Sequence, residues 1–379
     1  MDVLAPGTVA ALADVVRDAR ARHAKLEIRG GGSKAGTGAP RESTILDMRG
    51  FCGIVDYDPA ELVLTVRAGT PLTQVQALLA ANRQMLAFEP YDHGPIFGTA
   101  EGAATIGGVV AAGISGSRRL SAGAARDHLL GFTAVSGRGE IFVAGGKVVK
   151  NVTGFDLSKL MAGSWGRLAA LTEISLKVLP AAPESATFLV RGLDATAAAR
   201  VMARLLGSAV APAALAYVPG EDARVMIRLE GFGPSVAARR AALASIADAV
   251  ELSSPDVWDS LRRLEPFAAD APLWRITLPA RQLPLLAERL DRLAAPWLAD
   301  WGGGLVWATC PDAQALRAAA AEAGGHAILV RGPPALRRSV PAFHPLPPLN
   351  AMLEAQVVKA FDPDGVFETG RFGGSGHAD

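Results

Sequence analysis

The stretch with the clearest chemical potential is "LEIRGGGSKAGTG", residues 26–38, in which a short apolar strand runs into five glycines. One arginine, one serine and one lysine stand among these glycines. Consecutive glycines let backbone N–H groups point into one concavity, and they let a phosphate approach without interference from Cβ atoms. The segment therefore predicts either a phosphate-binding nest or a flexible turn between strands.

The glycine loop does not match the two best-known phosphate motifs. A P-loop requires Gly-x4-Gly-Lys-Ser/Thr, whereas Lys34 follows Ser33 here. The dinucleotide fingerprint Gly-x-Gly-x-x-Gly opens a helix, but "SKAGTGAPRES" after Gly32 has no helical pattern. The loop alone leaves both interpretations open.

The elements that must position this loop follow from periodicity. Apolar residues at helical spacing predict an amphipathic helix over about residues 8–22, and "KLEIR" and "STILDM" predict strands on either side of the loop. Two strands and a helix come next, with Thr70 as the helix N-cap and Pro71 at its first position. The irregular segment 88–119, rich in glycine, proline and alanine, contains one short helix starting at Thr105 and is of a length that usually lines a site.

The amino-acid composition changes in the second half of the chain. "SGRG" predicts the turn of a hairpin, and "LAALTEISLKVLP" predicts a strand that ends at Pro180. From about residue 183 to 340, alanine- and leucine-rich helices alternate with short strands, which predicts a second α+β domain. The tail predicts one helix followed by an Asp-Pro-Asp-Gly turn.

Composition excludes several classes of protein. The chain has 379 residues and a formal net charge of +1, so it lacks the basic surplus of a nucleic-acid-binding protein. Its two cysteines, Cys52 and Cys310, cannot form a disulfide framework or a four-thiolate iron–sulfur or zinc site. No signal peptide or membrane-spanning stretch is predicted. The expected location is cytoplasmic, at most peripheral at the inner face of a membrane through a complex.

Five glycine-rich motifs occur in one order: "RGGGSKAGTG", "ATIGGVVAAGISGSRR", "SAGAARDHLLG", "GGKVVKNVTGFDLSKLMAGSWGRLAALTEISLKVLP" and "FDPDGVFETGR". Their order and content resemble the FAD-binding domain of the vanillyl-alcohol-oxidase type, also called the PCMH fold, and within it the FAD-binding subunits of bacterial glycolate oxidase. The resemblance implies an α+β protein. It implies a PCMH-type FAD-binding domain of two α/β subdomains over residues 1–182, an α+β cap domain over 183–345, and a C-terminal helix and tail over 346–379 that return to the first domain.

The resemblance also implies a set of residues around FAD. The glycine loop would wrap the diphosphate, "TIGG" would pack along the cofactor, and later motifs and the tail would complete the site. The implied residues are Arg29, Gly30, Gly31, Gly32, Ser33, Lys34, Thr105, Gly107, Gly108, Ser115, Gly116, Gly123, Arg126, Asp127, Asn151, Gly154, Asp156, Gly166, Ile174, Gly370 and Arg371. We expect Gly31→Val to cost flavin occupancy before it costs folding.

Structural roles compete with these assignments. Arg126 and Asp127 are equally consistent with an ion pair inside the domain, and Asp156 with a charge at a helix N-terminus. Gly107 and Gly108 are also consistent with close packing of a helix on a strand.

The sequence departs from the family in two respects. No histidine lies between His23 and His93, so FAD is expected to be held non-covalently. The "HxGDGNxH" segment of related 2-hydroxy-acid dehydrogenases is absent, and no metal site is expected. The catalytic residues stay unknown, with His93 and His128 as lone candidates for a base. Arginines that could fix a substrate carboxylate are Arg275, Arg331, Arg337 and Arg338, and "DWGGGLVW" suggests a packing or interface role.

The resemblance implies an FAD-dependent oxidoreductase that oxidises glycolate, a small 2-hydroxy acid, to glyoxylate. Its implied partners are a homologous catalytic flavoprotein subunit and an iron–sulfur subunit, with no nucleic acid and with the membrane reached only through partners. Two alternatives stay open: a self-contained FAD-dependent dehydrogenase of the D-lactate type, and a scaffold subunit that binds FAD poorly.

Overall fold

The computed structural model describes residues 2–146, 155–247 and 249–372. The chain folds into two compact units. Unit 1 contains the residues up to Gly116, then Gly123–Ala181, and the segment that starts at Pro345. Unit 2 contains Ser117–Ala122 and Ala182–His344. The mixture of helices with parallel and antiparallel sheets confirms the α+β class.

Unit 1 holds the first half of the chain and the C-terminal helix. Its strands are β1 Val3–Leu4, β2 Leu26–Arg29, β3 Thr44–Asp47, β4 Ile54–Asp58, β5 Val63–Arg67, β6 Gln84–Met85, β7 Leu129–Ser136, β8 Ile141–Gly145, β9 Ala169–Lys177 and β10 Leu179–Pro180. Its helices are α1 Val9–Ala21, α2 Leu72–Ala81, α3 Ile106–Ala112, α5 Ala125–His128, α6 Leu157–Met161 and α13 Pro348–Phe361.

Two sheets organise unit 1. A three-stranded parallel sheet has the order β1-β3-β2, and a five-stranded antiparallel sheet has the order β4-β5-β9-β7-β8. Helix α1 buries Leu12 and Val16 in a core shared with β2 and β3, as its helical spacing predicts. Thr8 caps this helix by accepting a hydrogen bond from the Ala11 N–H at 3.1 Å. Strand β2 leads out of this core directly into the glycine loop.

Unit 2 is built on an antiparallel sheet with the order β14-β11-β13-β12-β16-β17-β15-β18. Its strands are β11 Glu184–Arg191, β12 Ala214–Val218, β13 Arg224–Gly231, β14 Val250–Ser253, β15 Leu273–Thr277, β16 Trp297–Asp300, β17 Leu305–Thr309 and β18 His326–Arg331. Its helices are α4 Arg119–Ala122, α7 Ala195–Leu206, α8 Gly233–Leu243, α9 Asp256–Arg263, α10 Leu283–Arg292, α11 Ala313–Glu322 and α12 Pro334–Ser339. Leu215, Ile227 and Trp274 lie in its main apolar core.

The short segment Ser117–Ala122 packs as part of unit 2, although the residues on both sides of it in the sequence belong to unit 1. The Ser117 hydroxyl donates to the buried carboxylate of Asp300 at 2.7 Å, and the Ser121 hydroxyl donates to the Ala213 carbonyl at 2.9 Å. The guanidinium of Arg119 lies 4.1 Å from the centre of the Trp301 ring. These contacts hold the segment in unit 2 by side chains rather than by a sheet.

One predicted cap is wrong. Helix α2 begins at Leu72 with Pro71 in the N-cap position and without a side-chain cap. The hydroxyl of Thr70 instead accepts from the Gly53 N–H at 2.9 Å and donates to the Arg67 carbonyl at 2.7 Å. Pro71 cannot donate a backbone hydrogen bond, so its position at the helix start costs nothing.

No helix in the described part of the chain is long and apolar enough to cross a membrane. Among the same residues, no three His, Cys, Asp or Glu side chains are grouped so that they could hold a metal ion.

Candidate functional site

A cleft in unit 1 lies at the end of β2, between the glycine loop, the first turns of α3, the segment before β9 and the C-terminal tail. Its empty space is about 740 Å³ with the open mouth included. Eleven of the predicted site residues line it: Arg29, Gly30, Gly31, Gly32, Ser33, Lys34, Thr105, Gly107, Gly108, Gly166 and Arg371. The structure thus brings together residues from four of the five motifs.

The consecutive glycines serve different purposes. Gly32 has φ of +79°, in the left-handed region that favours glycine, and a Cβ there would meet the Arg29 side chain at an ordinary contact distance of 3.7 Å. A Cβ on Gly30 would overlap the Thr105 hydroxyl, and a Cβ on Gly31 would overlap the Ala103 carbonyl oxygen. The loop is therefore pressed against the chain that leads into α3, and this contact holds one wall of the cleft.

The contact at Gly31 corrects the expectation for Gly31→Val. The clash is with fixed backbone at Ala103, not with a ligand in the cleft. A larger side chain at this position should therefore disturb the fold of the loop first, and flavin occupancy only as a consequence.

Helix α3 presents its N-terminal turn to the cleft. The Thr105 hydroxyl accepts a hydrogen bond from the Gly108 N–H at 3.2 Å, which makes Thr105 the N-cap. A Cβ on Gly107 would lie 2.6 Å from the Ala68 Cβ, so that glycine allows the helix to pack on the segment after β5. A Cβ on Gly108 would lie 3.1 Å from the Thr105 hydroxyl oxygen and 4.0 Å from the Lys34 Nζ, on the side of the cleft.

Lys34 places an ammonium group in the wall of the cleft. The residue is 9% exposed, and its Nζ donates to the Ser33 hydroxyl at 3.0 Å. Burial lowers the pKa of Lys34 to about 8, and the charge of Arg371 adds to this effect while Asp92 opposes it. No carboxylate of the described residues forms an ion pair with it. A buried cation without a close counter-ion is suited to binding an anion.

A second group of charges lies where β2 enters the loop. The carboxylate of Glu27, 5% exposed, accepts from Arg41 at 2.5 Å and from Arg29 at 3.0 Å. Burial alone would raise the pKa of Glu27, but Arg41 and Arg29 together hold it below its ordinary value. The Nε of Arg29 is buried and has no hydrogen-bond partner in the described structure. Glu27 thus holds Arg29 at the cleft with a donor still unused.

The C-terminal tail closes the other side. The Arg371 guanidinium donates to the carbonyl oxygens of Lys34 at 2.5 Å and of Thr37 at 3.0 Å. It also lies 5.4 Å from the centre of the Trp165 ring. Burial, with the charge of Arg41, lowers the pKa of Arg371.

The charges of the cleft fit a diphosphate. Arg29, Lys34 and Arg371 are cationic and Glu27 is the one carboxylate among the lining residues, which leaves two positive charges in excess. The bridge of a flavin dinucleotide carries two negative charges at neutral pH. The unused Arg29 Nε–H and the Lys34 ammonium supply charge-assisted donors for it.

Eight predicted residues do not line the cleft, and the contacts of several of them indicate structural roles. Ser115 accepts from the Ala125 N–H at 3.0 Å, and Asp127 accepts from the Ala124 N–H at 2.8 Å. Asp156 caps α6 and pairs with Lys159 at 2.8 Å. Gly116 packs on the Glu89 carbonyl, and Ile174 is buried in β9. Gly123 and Gly370 have positive φ angles of +85° and +76°. The side chain of Arg126 is exposed. A direct role for these eight at the cofactor stays a prediction.

Asn151 and Gly154 lie outside the described residues, so their predicted roles also stay predictions.

Sequence reasoning missed two residues of the cleft that carry its shape and charge. Trp165 has φ of +57°, which is rare for a bulky residue, and its ring lines the cleft beside Gly166. Glu27 lies three positions before the first glycine of the loop, but its residue type alone assigns it no role, because its partner Arg41 follows 14 positions later. The signal that could have found it is the pair Glu27 and Arg29, two positions apart on the strand that enters the glycine loop, where their side chains share one face.

The base and carboxylate candidates lie elsewhere. His93 is buried, with its ring centre 4.8 Å from that of Tyr91. His128 is also buried, with its ring centre 5.3 Å from that of Phe88. Neither histidine is among the residues that line the cleft. In unit 2, Arg331 donates to the backbone carbonyls of Ala268 and Ala271.

The remaining arginine candidates also belong to unit 2. The Arg275 guanidinium lies 5.0 Å from the Trp301 ring centre, beside the "DWGGGLVW" segment. Arg337 and Arg338 lie in the last turn of α12. No catalytic role follows from these placements.

Known proteins resemble this chain in sequence and in fold. Residues 2–145 match the family model described as the FAD binding domain. The chain also aligns over its whole length with p-cresol methylhydroxylase, solved with substrate bound, at a TM-score of 0.72 and 14% identity, covering 89% of that chain. The fold is of the PCMH type, and the family match assigns residues 2–145 to an FAD-binding domain.

The particular family follows from the relatives. The chain is 39% identical over 365 residues to glycolate oxidase subunit GlcE of Escherichia coli (strain K12), covering 95% of this chain and 96% of that protein. It is 26% identical to glycolate oxidase subunit GlcD of Bacillus subtilis (strain 168), over 57% of this chain and 45% of that one. The chain belongs to the GlcE family of glycolate oxidase subunits.

Proposed function

We propose that this chain is the FAD-binding subunit of a complex that oxidises glycolate to glyoxylate and passes the electrons to an iron–sulfur partner subunit. The observation that carries this proposal is its 39% identity to subunit GlcE over nearly the full length of both proteins. The cleft in unit 1 supports the cofactor half of the proposal.

The chain's own residues would bind and orient the cofactor. Gly32 and its neighbours expose backbone to the diphosphate, while Lys34 and Arg29 supply positive charge to it. Trp165 and α3 would cover part of the bound group as walls of the cleft. FAD supplies a two-electron acceptor when it is bound here.

The cleft supports non-covalent attachment. Among the described residues that line it, none is a histidine, cysteine or tyrosine. These side chains form the tethers known for flavins, and their absence from the described lining favours a cofactor held by polar contacts and burial.

The chemistry of the cleft favours a subunit over a self-contained enzyme. Removing two electrons and two protons from a 2-hydroxy acid needs a base within hydrogen-bond reach of the hydroxyl. Of the titratable lining residues, Glu27 is held ionised between two arginines, and Lys34 faces the expected diphosphate. The base for glycolate would then come from another chain, for which a homologous flavoprotein such as GlcD is the candidate.

The onward electron carrier must also lie on another chain. The sequence contains two cysteines, which is too few for a cubane cluster held by four thiolates. We therefore propose an iron–sulfur subunit as the second partner.

A reductive titration tests this proposal. The purified chain is mixed anaerobically with glycolate, and its visible flavin absorbance is followed; the experiment is repeated with the co-expressed partner subunits. We expect no bleaching of the isolated chain and full bleaching in the complex. Rapid bleaching of the isolated chain by glycolate or D-lactate would support the self-contained dehydrogenase. A chain that assembles with the partners but takes up no FAD would support the scaffold.

A further inference from the structure

We infer that Arg371 is a positioning residue: it fixes the conformation of the glycine loop from the C-terminal tail, so that FAD affinity depends on the tail. This inference rests on the proposed function, because it concerns the same cleft. It differs from a direct cofactor contact in that Arg371 acts through the backbone of the loop.

The contacts between tail and loop run in both directions. Arg371 donates through Nε to the Thr37 carbonyl at 3.0 Å and through its terminal nitrogen to the Lys34 carbonyl at 2.5 Å. Its own backbone carbonyl accepts from the Ala39 N–H at 2.9 Å. A Cβ on Gly38 would overlap this same carbonyl. One residue of the tail therefore binds the loop at three points, across more than 330 positions of sequence.

The bound carbonyls lie in a stretch that Arg41 also contacts, by donating to the Ala35 and Ala39 carbonyls at 3.5 and 3.2 Å. The Ala35 N–H donates to Gly32 at 2.9 Å and the Thr37 N–H to Lys34 at 3.1 Å, which are turn contacts within the loop. Fixing a glycine-rich backbone costs more conformational entropy than fixing other residues. Without Arg371, a ligand would have to order the loop when it binds, and the entropy lost in that ordering would reduce its binding free energy.

The fork of the guanidinium explains why an arginine is suited to this place. Its donors are held in one plane, so two carbonyls can be bound at once. The aromatic rings of Trp165 and Phe372, with centres 5.4 and 4.9 Å from its central carbon, keep that plane in position. A lysine would keep the charge, but its N–H donors all lie on one nitrogen atom and cannot match the spacing of the two carbonyls as a guanidinium does.

Thermodynamic linkage requires the coupling to be reciprocal. If the tail stabilises the loop that binds FAD, then FAD must stabilise the contact between tail and loop by the same factor. Hydrogen exchange of the 30–39 backbone should therefore slow when FAD is added, and should slow less without Arg371.

The test compares full-length apo-proteins: wild type, Arg371→Met, Arg371→Lys and the control Arg20→Met. Arg20 binds Asp364 of the same C-terminal segment at 2.5 Å but lies outside the cleft. FAD dissociation constants are measured by quenching of flavin fluorescence, and melting temperatures are measured on the apo-proteins. Exchange of residues 30–39 is followed with and without FAD.

We expect Arg371→Met to weaken FAD binding at least tenfold and to speed exchange of the loop, and Arg20→Met to leave both near the wild type. The apo melting temperature should fall further in Arg371→Met than in Arg20→Met, because two carbonyls of the loop lose their donor. Arg371→Lys should remain close to Arg371→Met. Wild-type FAD affinity in Arg371→Met would overturn the inference while leaving the cofactor assignment intact. Full rescue by Arg371→Lys would also overturn it, because charge alone would then suffice. A wild-type chain without FAD affinity would overturn the inference and the proposed function together.

Discussion

At the scale of single residues, the main feature of the cleft is the buried ammonium group of Lys34, which is suited to binding an anion. The Lys34 ammonium donates to the Ser33 hydroxyl, and burial lowers the pKa of Lys34 to about 8. A bound diphosphate would favour the charged form, so the pKa of Lys34 must rise when FAD binds. FAD affinity should then depend on pH in a way that identifies this residue.

The pH dependence is the first prediction. FAD affinity should be constant below about pH 8 and should fall as the pH rises above it, by at most tenfold per pH unit. Lys34→Arg should keep binding and remove this dependence, while Lys34→Met should bind weakly at every pH. Fluorescence titrations at several pH values measure this. A wild-type affinity that does not change between pH 7 and pH 9.5 would contradict the role of Lys34.

The same residue should carry a stability cost in the apo-protein. The pKa of Lys34 is lower in the folded chain than its ordinary 10.5, so the protonated form destabilises the fold below about pH 8. We expect Lys34→Met to raise the free energy of unfolding of the apo-protein at pH 7 by on the order of 1–2 kcal/mol. Denaturant unfolding checks this, and the gain should shrink as the pH approaches 10.5. A loss of stability at pH 7 would show that the ammonium is satisfied in the free protein.

Two glycines offer a matched pair of substitutions. Gly31→Ala places a methyl on the Ala103 carbonyl and should lower the apo melting temperature, with weaker FAD binding as a consequence. Gly108→Ala places a methyl towards Lys34 inside the cleft, so it should weaken FAD binding while the apo melting temperature stays near that of the wild type. Calorimetry and FAD titration of both variants separate the two effects. An unchanged melting temperature in Gly31→Ala would refute the close backbone approach.

At the scale of elements, helix α3 connects local sequence with the site. Its N-cap, Thr105, also fills the space beside Gly30, so one side chain both starts the helix and positions the loop. Thr105→Ala should cost about 1 kcal/mol of stability through loss of the cap, and it should weaken FAD binding by leaving a gap at Gly30. Thr105→Ser keeps the hydroxyl and should recover most of the stability. Equal stability of the alanine and serine variants in urea unfolding would contradict the capping role.

Several elements could be predicted because their signals are local. The helical spacing of α1, the start of α3 near Thr105 and the "SGRG" hairpin between β7 and β8 each depend on residues a few positions apart. The predicted cap of α2 is wrong for a related reason. Thr70 has the residue type of an N-cap, but its hydroxyl is used by Gly53, 17 positions away.

At the scale of the whole molecule, what the sequence could not reveal depends on contacts between distant segments. Gly31 meets Ala103, and Arg371 meets Lys34, and no periodicity or spacing reports either pair. The segment Ser117–Ala122 packs with unit 2 through Asp300 and Trp301, although the sequence on both sides belongs to unit 1. The cofactor itself was predictable, because the order of five motifs is a property of the whole chain.

The most direct measurement is the flavin content of the purified full-length chain before and after acid precipitation. We predict about one FAD per chain, or stoichiometric uptake when the apo-protein is mixed with FAD, and complete release of the flavin into the acid supernatant. Flavin that stays in the precipitate would contradict non-covalent attachment. A chain that stays colourless in excess FAD would contradict the central claim that the glycine-loop cleft binds this dinucleotide.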